Sequence, residues 1–272
     1  MKIAIQGEAG SFHDQAARQY FGEGIELLPC ETFAEVFAAT ESKQADAGIV
    51  AIENSLYGSI RESHDLLMEH SLTIVGEVLL PIHQQLITKE PIELHDITHV
   101  YSHPAALNQC RDFLRKNLPN TEVIEWYDTA GAVQHIIENP NRSWAAIAST
   151  RAAELYDATI VQPDIEDEPG NVTRFLALAR GGEYTPTNPN KASLNLVTPH
   201  TPGALYHALG AFEKYSANLT KLESRPVRGQ PFNYQFFIAV ETEPKNVQNI
   251  VAELETHNCQ VRILGTYVAN GL

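Results

Sequence analysis

Strand-type and helix-type segments alternate along the chain up to about residue 182, and this alternation constrains the fold more than any other feature. Short apolar runs such as Lys2–Gln6, Ala47–Ile52 and Leu72–Leu80 predict strands. Amphipathic stretches such as His13–Phe21 and Thr129–Ile137 predict helices. Strands that alternate with helices of this length predict α/β layers with a largely parallel sheet.

A linker rich in Gly, Pro, Thr and Asn ends this alternation at residues 181–190. Behind it the order changes to strand, helix, strand, strand, helix, strand, which is the ferredoxin-like order. The six predicted segments are Ala192–Thr198, Gly203–Tyr215, Leu219–Pro226, Gln235–Glu241, Val247–His257 and Val261–Val268. We therefore predict an α/β domain over residues 1–182 and a smaller α+β domain over residues 190–272.

The acidic charge balance excludes several classes of partner. The chain has 272 residues, with 19 Lys and Arg against 34 Asp and Glu, so its net charge is −15 with histidine neutral. Such a protein repels nucleic acid and anionic membranes, and we expect neither as a partner. The three cysteines, Cys30, Cys110 and Cys259, are too far apart in sequence to predict a disulfide framework or a metal site. The sequence shows no signal-peptide pattern and no apolar run of about 18 residues, so we expect a cytoplasmic protein.

Polar residues follow several predicted strands, at the turns that lead into helices. Each turn carries a hydroxyl, amide or carboxylate near a predicted helix N-terminus. The turns are Gln6–Phe12, Glu53–Ile60, Ser102–Ala105, Asp128–Gly131 and Ala148–Thr150. Helix capping explains any one of them. Together, at the carboxyl ends of strands around one cleft, they favour a site for a small anion such as a carboxylate. Arg174 is the best-placed guanidinium to pair with that anion.

Motifs for cofactors, metals and activated nucleophiles do not occur in the sequence. The first turn does not match GxGxxG, and GxxxxGK[ST], HExxH and GxSxG are absent. His95, His99 and His103 are spaced by four residues, but Pro104 favours a strand and a turn over the helix that would align them as ligands. We expect no cofactor and no metal.

The polar turns also carry a family resemblance that covers nearly the whole chain. The matching motifs are Gly7-x-x-Gly-Ser-Phe12, Ile52-Glu-Asn-Ser55 with Gly58-Ser59, Ser102-His-Pro104 with Gln109-Cys110, Asp128-Thr-Ala130, Asn171-x-Thr-Arg-Phe175, Gly203-Ala-Leu205 and Asn218-Leu-Thr-Lys-Leu-Glu-Ser-Arg-Pro226. In this order they resemble a monofunctional prephenate dehydratase with a C-terminal ACT domain. Thr-Arg-Phe followed about 50 residues later by Glu-Ser-Arg-Pro is the most specific part of the pattern.

The resemblance implies a fold and a reaction. The fold is a two-lobed catalytic domain like a type II periplasmic binding protein, followed by an α+β ferredoxin-like ACT domain. The first lobe would cover about 1–80 and 160–182, and the second about 81–159. The reaction is the conversion of prephenate to phenylpyruvate, water and carbon dioxide in L-phenylalanine biosynthesis, without a cofactor.

The resemblance also assigns roles to residues by motif position. Thr173 is the first catalytic candidate, as a hydrogen-bond donor to the departing hydroxyl. Asn54, Ser102, Gln109, Asp128 and Thr129 match other catalytic positions. The substrate-binding candidates are Arg174, His103, Ser11, Phe175, Glu53 and Ser55. Two plainer interpretations stay open: His103 could only cap the turn at Pro104, and Glu53 could only form a structural salt bridge.

The C-terminal segment resembles a regulatory domain that binds L-phenylalanine between paired copies. Its predicted effector residues are Gly203, Ala204, Leu205, Asn218, Leu219, Glu223, Ser224 and Arg225. Pairing of these domains would give a homodimer or homotetramer. Tyr206 replaces the small or aliphatic residue that is common after Gly-Ala-Leu, so the effector pocket could differ in shape.

Two other functions remain open from the sequence. The first is arogenate dehydratase, since arogenate differs from prephenate by an amino group in place of the keto oxygen. The second is a non-catalytic amino-acid sensor with the same architecture, which the presence of Thr173, Asn54, Ser102 and Gln109 disfavours. A fusion to chorismate mutase is not expected, because no helical extension precedes Met1.

Overall fold

A computed structural model describes residues 1–184, 186–227, 229–230 and 232–269. Thr185 of the predicted linker and residues 270–272 of the predicted C-terminal domain lie outside the described residues. In chain order the strands are β1 (Lys2–Gln6), β2 (Glu26–Cys30), β3 (Ala47–Asn54), β4 (Gly58–Ser59), β5 (Leu72–Pro81), β6 (Gln85–Thr88), β7 (His99–Ser102), β8 (Glu122–Glu125), β9 (Trp144–Ala148), β10 (Thr159–Gln162), β11 (Val172–Arg180), β12 (Lys191–Val197), β13 (Asn218–Pro226), β14 (Tyr234–Glu241) and β15 (Gln260–Tyr267). The helices are α1 (Phe12–Phe21), α2 (Phe33–Glu41), α3 (Arg61–Glu69), α4 (Pro104–Gln109), α5 (Arg111–Asn117), α6 (Thr129–Glu138), α7 (Thr150–Leu155), α8 (Ala204–Lys214) and α9 (Pro244–Thr256), with a short 3₁₀ helix at Leu94–Asp96. Within these ranges no helix is long and apolar enough to cross a membrane.

Two mixed α/β lobes form the first part of the chain. The strand order is β2-β1-β3-β11-β5 in the first lobe, with β4 on β3, and β10-β6-β9-β7-β8 in the second. Strands β1, β2 and β3 are parallel, but β11 runs antiparallel to both β3 and β5. We predicted a largely parallel sheet, but the sheet of the first lobe is mixed. The reason is that the chain returns from the second lobe and β11 enters the first sheet in the opposite direction.

The chain passes between the lobes twice, after β5 and after β10. The predicted lobe boundary at residue 160 falls inside β10, and this strand pairs with β6 of the second lobe. The return crossing thus follows Gln162, and residues 163–171 form it. Each lobe has its own apolar core, since strand residues such as Ile49 and Phe175 in the first and Leu86 and Ile147 in the second are fully or almost fully buried.

The C-terminal part is a βαββαβ unit with the strand order β13-β14-β12-β15, all antiparallel. Helices α8 and α9 cover one face of this sheet, where Phe212 and Ile250 pack with Leu194. The other face lies against the first lobe, and Phe237 and Leu264 share an apolar core with Ile74 of β5. Two α/β lobes with an α+β ferredoxin-like unit confirm the predicted fold class.

Gly265 of β15 lies directly against the backbone of Ile74 in β5 of the first lobe. A Cβ atom at this position would lie 2.0 Å from the carbonyl oxygen of Ile74, a distance that no real side chain tolerates. The two sheets can therefore approach this closely only with glycine at residue 265.

A Gly265→Ala substitution is expected to lower the free energy of unfolding by about 1–3 kcal/mol, because the added methyl group must push β15 away from β5. Gly210→Ala is the matched control: Gly210 lies in α8 with open space around it, so alanine should stabilise the helix by about 1 kcal/mol. Urea unfolding measures both. Equal stability of the two variants would contradict the close approach.

Candidate active site

A cleft of about 540 Å³ lies between the two lobes. Residues at the starts of five helices line it, and these helices are α1, α2, α3, α4 and α6. Four of the five polar turns noted in the sequence contribute to its walls. The fifth, Ala148–Thr150, does not: Ser149 instead donates a hydrogen bond to the carbonyl oxygen of Gly10 over 2.7 Å, and so joins the two lobes.

Thr173 and Asn54 lie side by side in the first-lobe wall of the cleft. They are opposite each other in the ladder of β11 and β3, and each is 8% exposed. Asn54 Oδ1 accepts bonds from the backbone N–H groups of Leu56 and Tyr57, both at 3.0 Å. Its amide nitrogen must therefore face Thr173, and it donates to Thr173 Oγ1 over 3.0 Å. Because Asn54 uses the oxygen of this hydroxyl as an acceptor, the hydroxyl proton of Thr173 remains available for a group in the cleft.

A β-bulge in β3 turns Asn54 toward the cleft. Thr173 pairs with Asn54 and Arg174 with Glu53, but Phe175 pairs with Ala51, so one residue of β3 is skipped. Without the bulge, Ala51 and Asn54 would point to opposite faces of the sheet, because side chains alternate along a strand. With it, both line the cleft.

The second lobe supplies donors from His103 and Gln109. The backbone N–H of Ala105 donates to His103 Nδ1 over 3.2 Å, so the proton of the neutral ring is on Nε2. Burial lowers the pKa of His103, which favours this neutral form. Gln109 accepts a bond from Gln84 Nε2 over 2.8 Å, which leaves its own amide hydrogens free. Both residues line the cleft, and His103 also caps α4, so the plainer interpretation of it holds as well.

Asp128 and Ser11 serve mainly as helix caps at the edge of the cleft. Asp128 Oδ1 accepts from the N–H of Gly131 at the start of α6, and Ser11 Oγ accepts from the N–H of Asp14 at the start of α1. Burial raises the pKa of Asp128, and burial together with the nearby Asp128 raises the pKa of Glu8. Thr129, the first residue of α6, lines the cleft beside Asp128.

Four of the predicted site residues lie outside the lining of the cleft. Arg174 lies on the opposite face of β11, 3.5 Å from Glu53 and 3.5 Å from Glu77, because it is flanked by the cleft residues Thr173 and Phe175 on an alternating strand. Glu53 lies on that opposite face too, since the bulge places it there, and it forms the structural salt bridge left open above. Ser102 is fully buried and donates to the carbonyl oxygen of Ile147 over 2.6 Å. Ser55 accepts from the N–H of Val172 over 2.9 Å, at the start of β11.

The sequence patterns missed several cleft residues, and Gln84 and His13 are two of them. Gln84 lies in the first crossing between the lobes, where no strand-to-helix turn draws attention to it. His13 is the second residue of α1, and its ring centroid is 5.0 Å from that of Phe175. His13 Nε2 accepts the N–H of Ala51 over 3.3 Å, and burial lowers the pKa of this ring to about 3. Its position on an amphipathic helix looked like that of an ordinary core residue.

Among the described residues that line the cleft, none is lysine or arginine. An anion would therefore meet the positive ends of helix dipoles and free backbone N–H groups, not a cationic side chain. The lining also carries the carboxyl groups of Glu31, Glu62 and Asp128. Arg174 lies on the opposite face of β11 and is not part of the lining.

The predicted effector residues separate into two groups. Gly203, Ala204 and Leu205 line a hollow of about 450 Å³ at the start of α8, together with Tyr206, which is 77% exposed. The residues of β13 do not line this hollow. Asn218, Leu219 and Ser224 lie along that edge strand, and two others face the first lobe: Glu223 accepts from Ser59 Oγ over 2.7 Å, and Arg225 forms a two-pronged pair with Asp65 at 2.7 and 3.1 Å.

One group of side chains could offer ligands to a metal. Atoms of His83, Asp164 and Glu166 lie within 4.8 Å of one another, at the two crossings between the lobes. His83 Nδ1 is 2.9 Å from Glu166 Oε1, and the N–H of Gln84 donates to the other oxygen of Glu166. These bonds connect the two crossings between the lobes and account for the proximity of the three side chains, so we assign no metal to this group.

Comparisons with known proteins show the family to which the chain belongs. A family model described as prephenate dehydratase matches residues 3–183. An arogenate dehydratase/prephenate dehydratase 2 of Arabidopsis thaliana, a chloroplastic protein, is 39% identical over 280 residues, which cover 98% of this chain and 72% of that protein.

Two solved structures are similar along almost the whole chain. The prephenate dehydratase of Arthrobacter aurescens in complex with L-Phe has a TM-score of 0.87 and 29% identity, and the match covers 98% of this chain and 90% of that one. A structure described as GqqA, a novel type of quorum quenching acylase, has a TM-score of 0.88 and 34% identity, with 99% and 98% covered.

The lowered pKa of His13 predicts how stability depends on pH. The unfolded chain takes up a proton near the ordinary pKa of 6.5, whereas the folded protein takes it up only near pH 3. Stability linked to His13 is therefore complete above pH 6.5 and is lost as the pH falls toward 3. Between pH 7 and pH 5 this loss amounts to about 2 kcal/mol.

His13→Gln should remove that loss, because an amide does not titrate and its oxygen can still accept the N–H of Ala51. Urea unfolding at pH 7 and at pH 5 gives the comparison. His95→Gln is the control, since the side chain of His95 is 81% exposed. If His13→Gln and the control lose the same stability on acidification, the assignment of a buried neutral ring is wrong.

Proposed function

The chain belongs to the prephenate dehydratase family of lyases, and on this premise we propose that it converts prephenate to phenylpyruvate, water and carbon dioxide. The observation that carries the proposal is the Thr173 hydroxyl, which Asn54 orients from one side and whose proton is free on the cleft side. The alternative of a non-catalytic amino-acid sensor is set aside because the matching family model and the Arabidopsis relative are both named as dehydratases.

The reaction needs binding and one well-placed donor more than it needs a strong acid or base. The carbon–carbon bond to the ring carboxylate breaks, its electrons enter the ring, and the carbon–oxygen bond to the ring hydroxyl breaks. Carbon dioxide leaves, the departing hydroxide takes a proton to become water, and the ring becomes aromatic. This aromatisation supplies the driving force, so the enzyme must mainly stabilise the negative charge that develops on the departing oxygen.

Each cleft group has a place in this scheme. Thr173 Oγ1–H would donate to the departing hydroxyl, and Asn54 would keep it oriented. The helix N-termini, His103 Nε2–H and the amide of Gln109 would hold the two carboxylates and the keto group. Phe175 and His13 would pack against the ring, and Thr129 beside Asp128 would close the second-lobe side. The assignment of Thr173, Asn54, Gln109, Asp128, Thr129, His103, Ser11 and Phe175 to the site remains part of the proposal.

Arogenate is the second candidate substrate, and the carboxylates of the cleft favour it. Glu31 and Glu62 both line the cleft and could pair with the amino group that distinguishes arogenate. The Arabidopsis relative carries both activities in its name. An acylase would instead need an activated nucleophile. In the described cleft Ser11 Oγ bonds to the N–H of Asp14, and Thr173 Oγ1 bonds to Asn54. Ser59 Oγ bonds to Lys221 and Glu223. None of these three hydroxyls bonds to a histidine.

One assay separates the two dehydratase reactions. The protein is incubated with prephenate and, separately, with arogenate, and the formation of phenylpyruvate and of phenylalanine is followed. We expect phenylpyruvate from prephenate with the higher kcat/KM. A higher kcat/KM for arogenate would change the substrate within the same mechanism, and inactivity on both would contradict the proposal.

Replacement of Thr173 tests the mechanism. Thr173→Val keeps the shape and removes the donor, so kcat should fall at least ~100-fold with an unchanged melting temperature. Thr173→Ser keeps a hydroxyl in the same place and should retain most of the activity. Near-normal turnover in the valine variant would remove Thr173 from the chemistry.

We also propose that the C-terminal unit is an ACT domain that binds L-phenylalanine and lowers the activity, in a homodimer or homotetramer. The hollow at Gly203–Leu205 supports this, since a helix start with a left-handed glycine offers backbone N–H groups to a carboxylate. Tyr206 at its rim would contact the ligand or a second copy. The similar structure from Arthrobacter aurescens contains L-Phe.

Saturating L-phenylalanine should therefore lower kcat/KM and stabilise the fold. At 100 times its Kd, a ligand that binds only the folded protein adds about 2.7 kcal/mol to the free energy of unfolding. Initial rates and thermal unfolding with and without the amino acid measure the two effects, with L-leucine as the control ligand. If both quantities stay unchanged, the regulatory part of the proposal is wrong.

A further inference from the structure

The hydroxyl of Ser59 links the C-terminal unit to the cleft. Ser59 belongs to the two-residue strand β4 and lines the cleft. Lys221 Nζ donates to its Oγ over 2.7 Å, and the hydroxyl donates in turn to Glu223 Oε2 over 2.7 Å. Both partners lie on β13, and the side chain of Lys221 is only 9% exposed, so water competes little for these bonds.

Lys221 also reaches the strand that carries Asn54. Its Nζ lies 2.9 Å from Glu53 Oε1, and Glu53 Oε2 lies 3.5 Å from Arg174 Nε. Glu53 directly precedes Asn54 in the chain, and Arg174 directly follows Thr173. One lysine of the C-terminal unit thus bonds to residues at both ends of segment 53–59.

The segment between these two anchors forms part of the cleft wall. Tyr57, Gly58 and Ile60 line the cleft, and the side chain of Tyr57 is 58% exposed. Other bonds also hold this segment. Ser55 exchanges bonds with Val172 of β11, Gly58 and Ser59 pair with Asn54 and Glu53 in the ladder of β4 and β3, and Asn54 Oδ1 accepts the N–H groups of Leu56 and Tyr57. The anchors at Glu53 and Ser59 add the side-chain bonds that reach the C-terminal unit.

We propose that Lys221 and Glu223 are positioning residues that fix Asn54 and residues 56–60 in the cleft, and that a ligand of the C-terminal unit acts on the cleft through them. The second half of this inference rests on the proposed function. A small displacement of β13 stretches the bonds to Ser59 and Glu53, and hydrogen bonds weaken steeply as their geometry departs from the optimum. A ligand that favours one position of β13 would then change the orientation of the donor at Thr173 through Asn54.

Arg225 attaches β13 to the first lobe independently of Lys221 and Glu223. The positioning role can therefore be tested separately from the attachment of the C-terminal unit. The guanidinium of Arg225 pairs with both carboxylate oxygens of Asp65 in α3 and does not involve Ser59. Removal of Glu223 therefore leaves β13 attached to the first lobe through this fork, while β15 keeps its close contact with Ile74 at Gly265.

Hydrogen exchange tests the positioning role without any substrate. In Lys221→Met the amides of residues 55–60 should exchange at least about tenfold faster, because local opening becomes easier. Lys214→Met is the matched control: Lys214 lies on α8 of the same unit and pairs with Glu253 at 2.7 Å, away from the cleft. Unchanged exchange of residues 55–60 in Lys221→Met, or an equal change in the control, overturns the inference. If Lys221→Met does not fold, Glu223→Ala carries the same expectation, since it removes one partly exposed carboxylate.

Kinetics test the coupling. In Lys221→Met and Glu223→Ala, kcat should fall about fivefold while KM stays within about twofold, and inhibition by L-phenylalanine should weaken at least about tenfold. Calorimetric binding of L-phenylalanine should stay as tight as in the wild-type protein, and Lys221→Arg, which keeps a donor, should restore the response. Loss of L-phenylalanine binding in Glu223→Ala would make Glu223 an effector contact and overturn the inference. A wild-type protein without dehydratase activity would contradict the proposed function instead, and hydrogen exchange would still decide the positioning role.

Discussion

The antiparallel insertion of β11 between β3 and β5 is the interaction on which the rest of the molecule depends. It brings Thr173 next to Asn54, although their residue numbers differ by 119, and it closes the first lobe after the second has been completed. The bulge in β3 then turns Ala51 and Asn54 to the same face. The donor of the cleft, the hydroxyl of Thr173, and its partner Asn54 therefore both lie on strands. Strands hold side chains more rigidly than loops do, so the direction of the hydroxyl is well defined.

The cleft combines this donor with an unusual source of positive potential. No described residue of its lining is lysine or arginine, yet five helices begin there. Backbone N–H groups at helix starts are fixed by the fold and cost no side-chain entropy on binding. They would suit the two carboxylates of the proposed substrate in a cleft that itself carries Glu31, Glu62 and Asp128 and in a protein whose net charge is −15. The cations near the site have another role, because Arg174, Lys191 and Lys221 neutralise Glu77 and Glu53 beneath the sheet.

The two faces of the strands β3 and β11 consequently serve two purposes. Thr173 and Asn54 face the cleft, while Arg174 and Glu53 face the C-terminal unit. A shift of the backbone at Glu53 also shifts Asn54, since one peptide bond joins them. The ion pair of Lys221 with Glu53 therefore lies one residue from Asn54, and the proposed positioning role of Lys221 is based on this adjacency.

Much of this molecule could be predicted from its sequence. Local patterns determine the alternating strands and helices, the βαββαβ order behind the linker, and the polar turns that cap the helices at the cleft. They do not predict β2, because Pro29 argues against a strand unless the strand lies at a sheet edge, as this one does. Local patterns are limited in the same way for the residues of the candidate site. The sequence by itself determined which turns carry polar groups, since capping and turn chemistry are local. Only the tertiary structure decided that Asn54 faces the cleft and Arg174 does not, because a bulge and a strand pairing set the direction of each side chain, and both depend on residues far away in the chain.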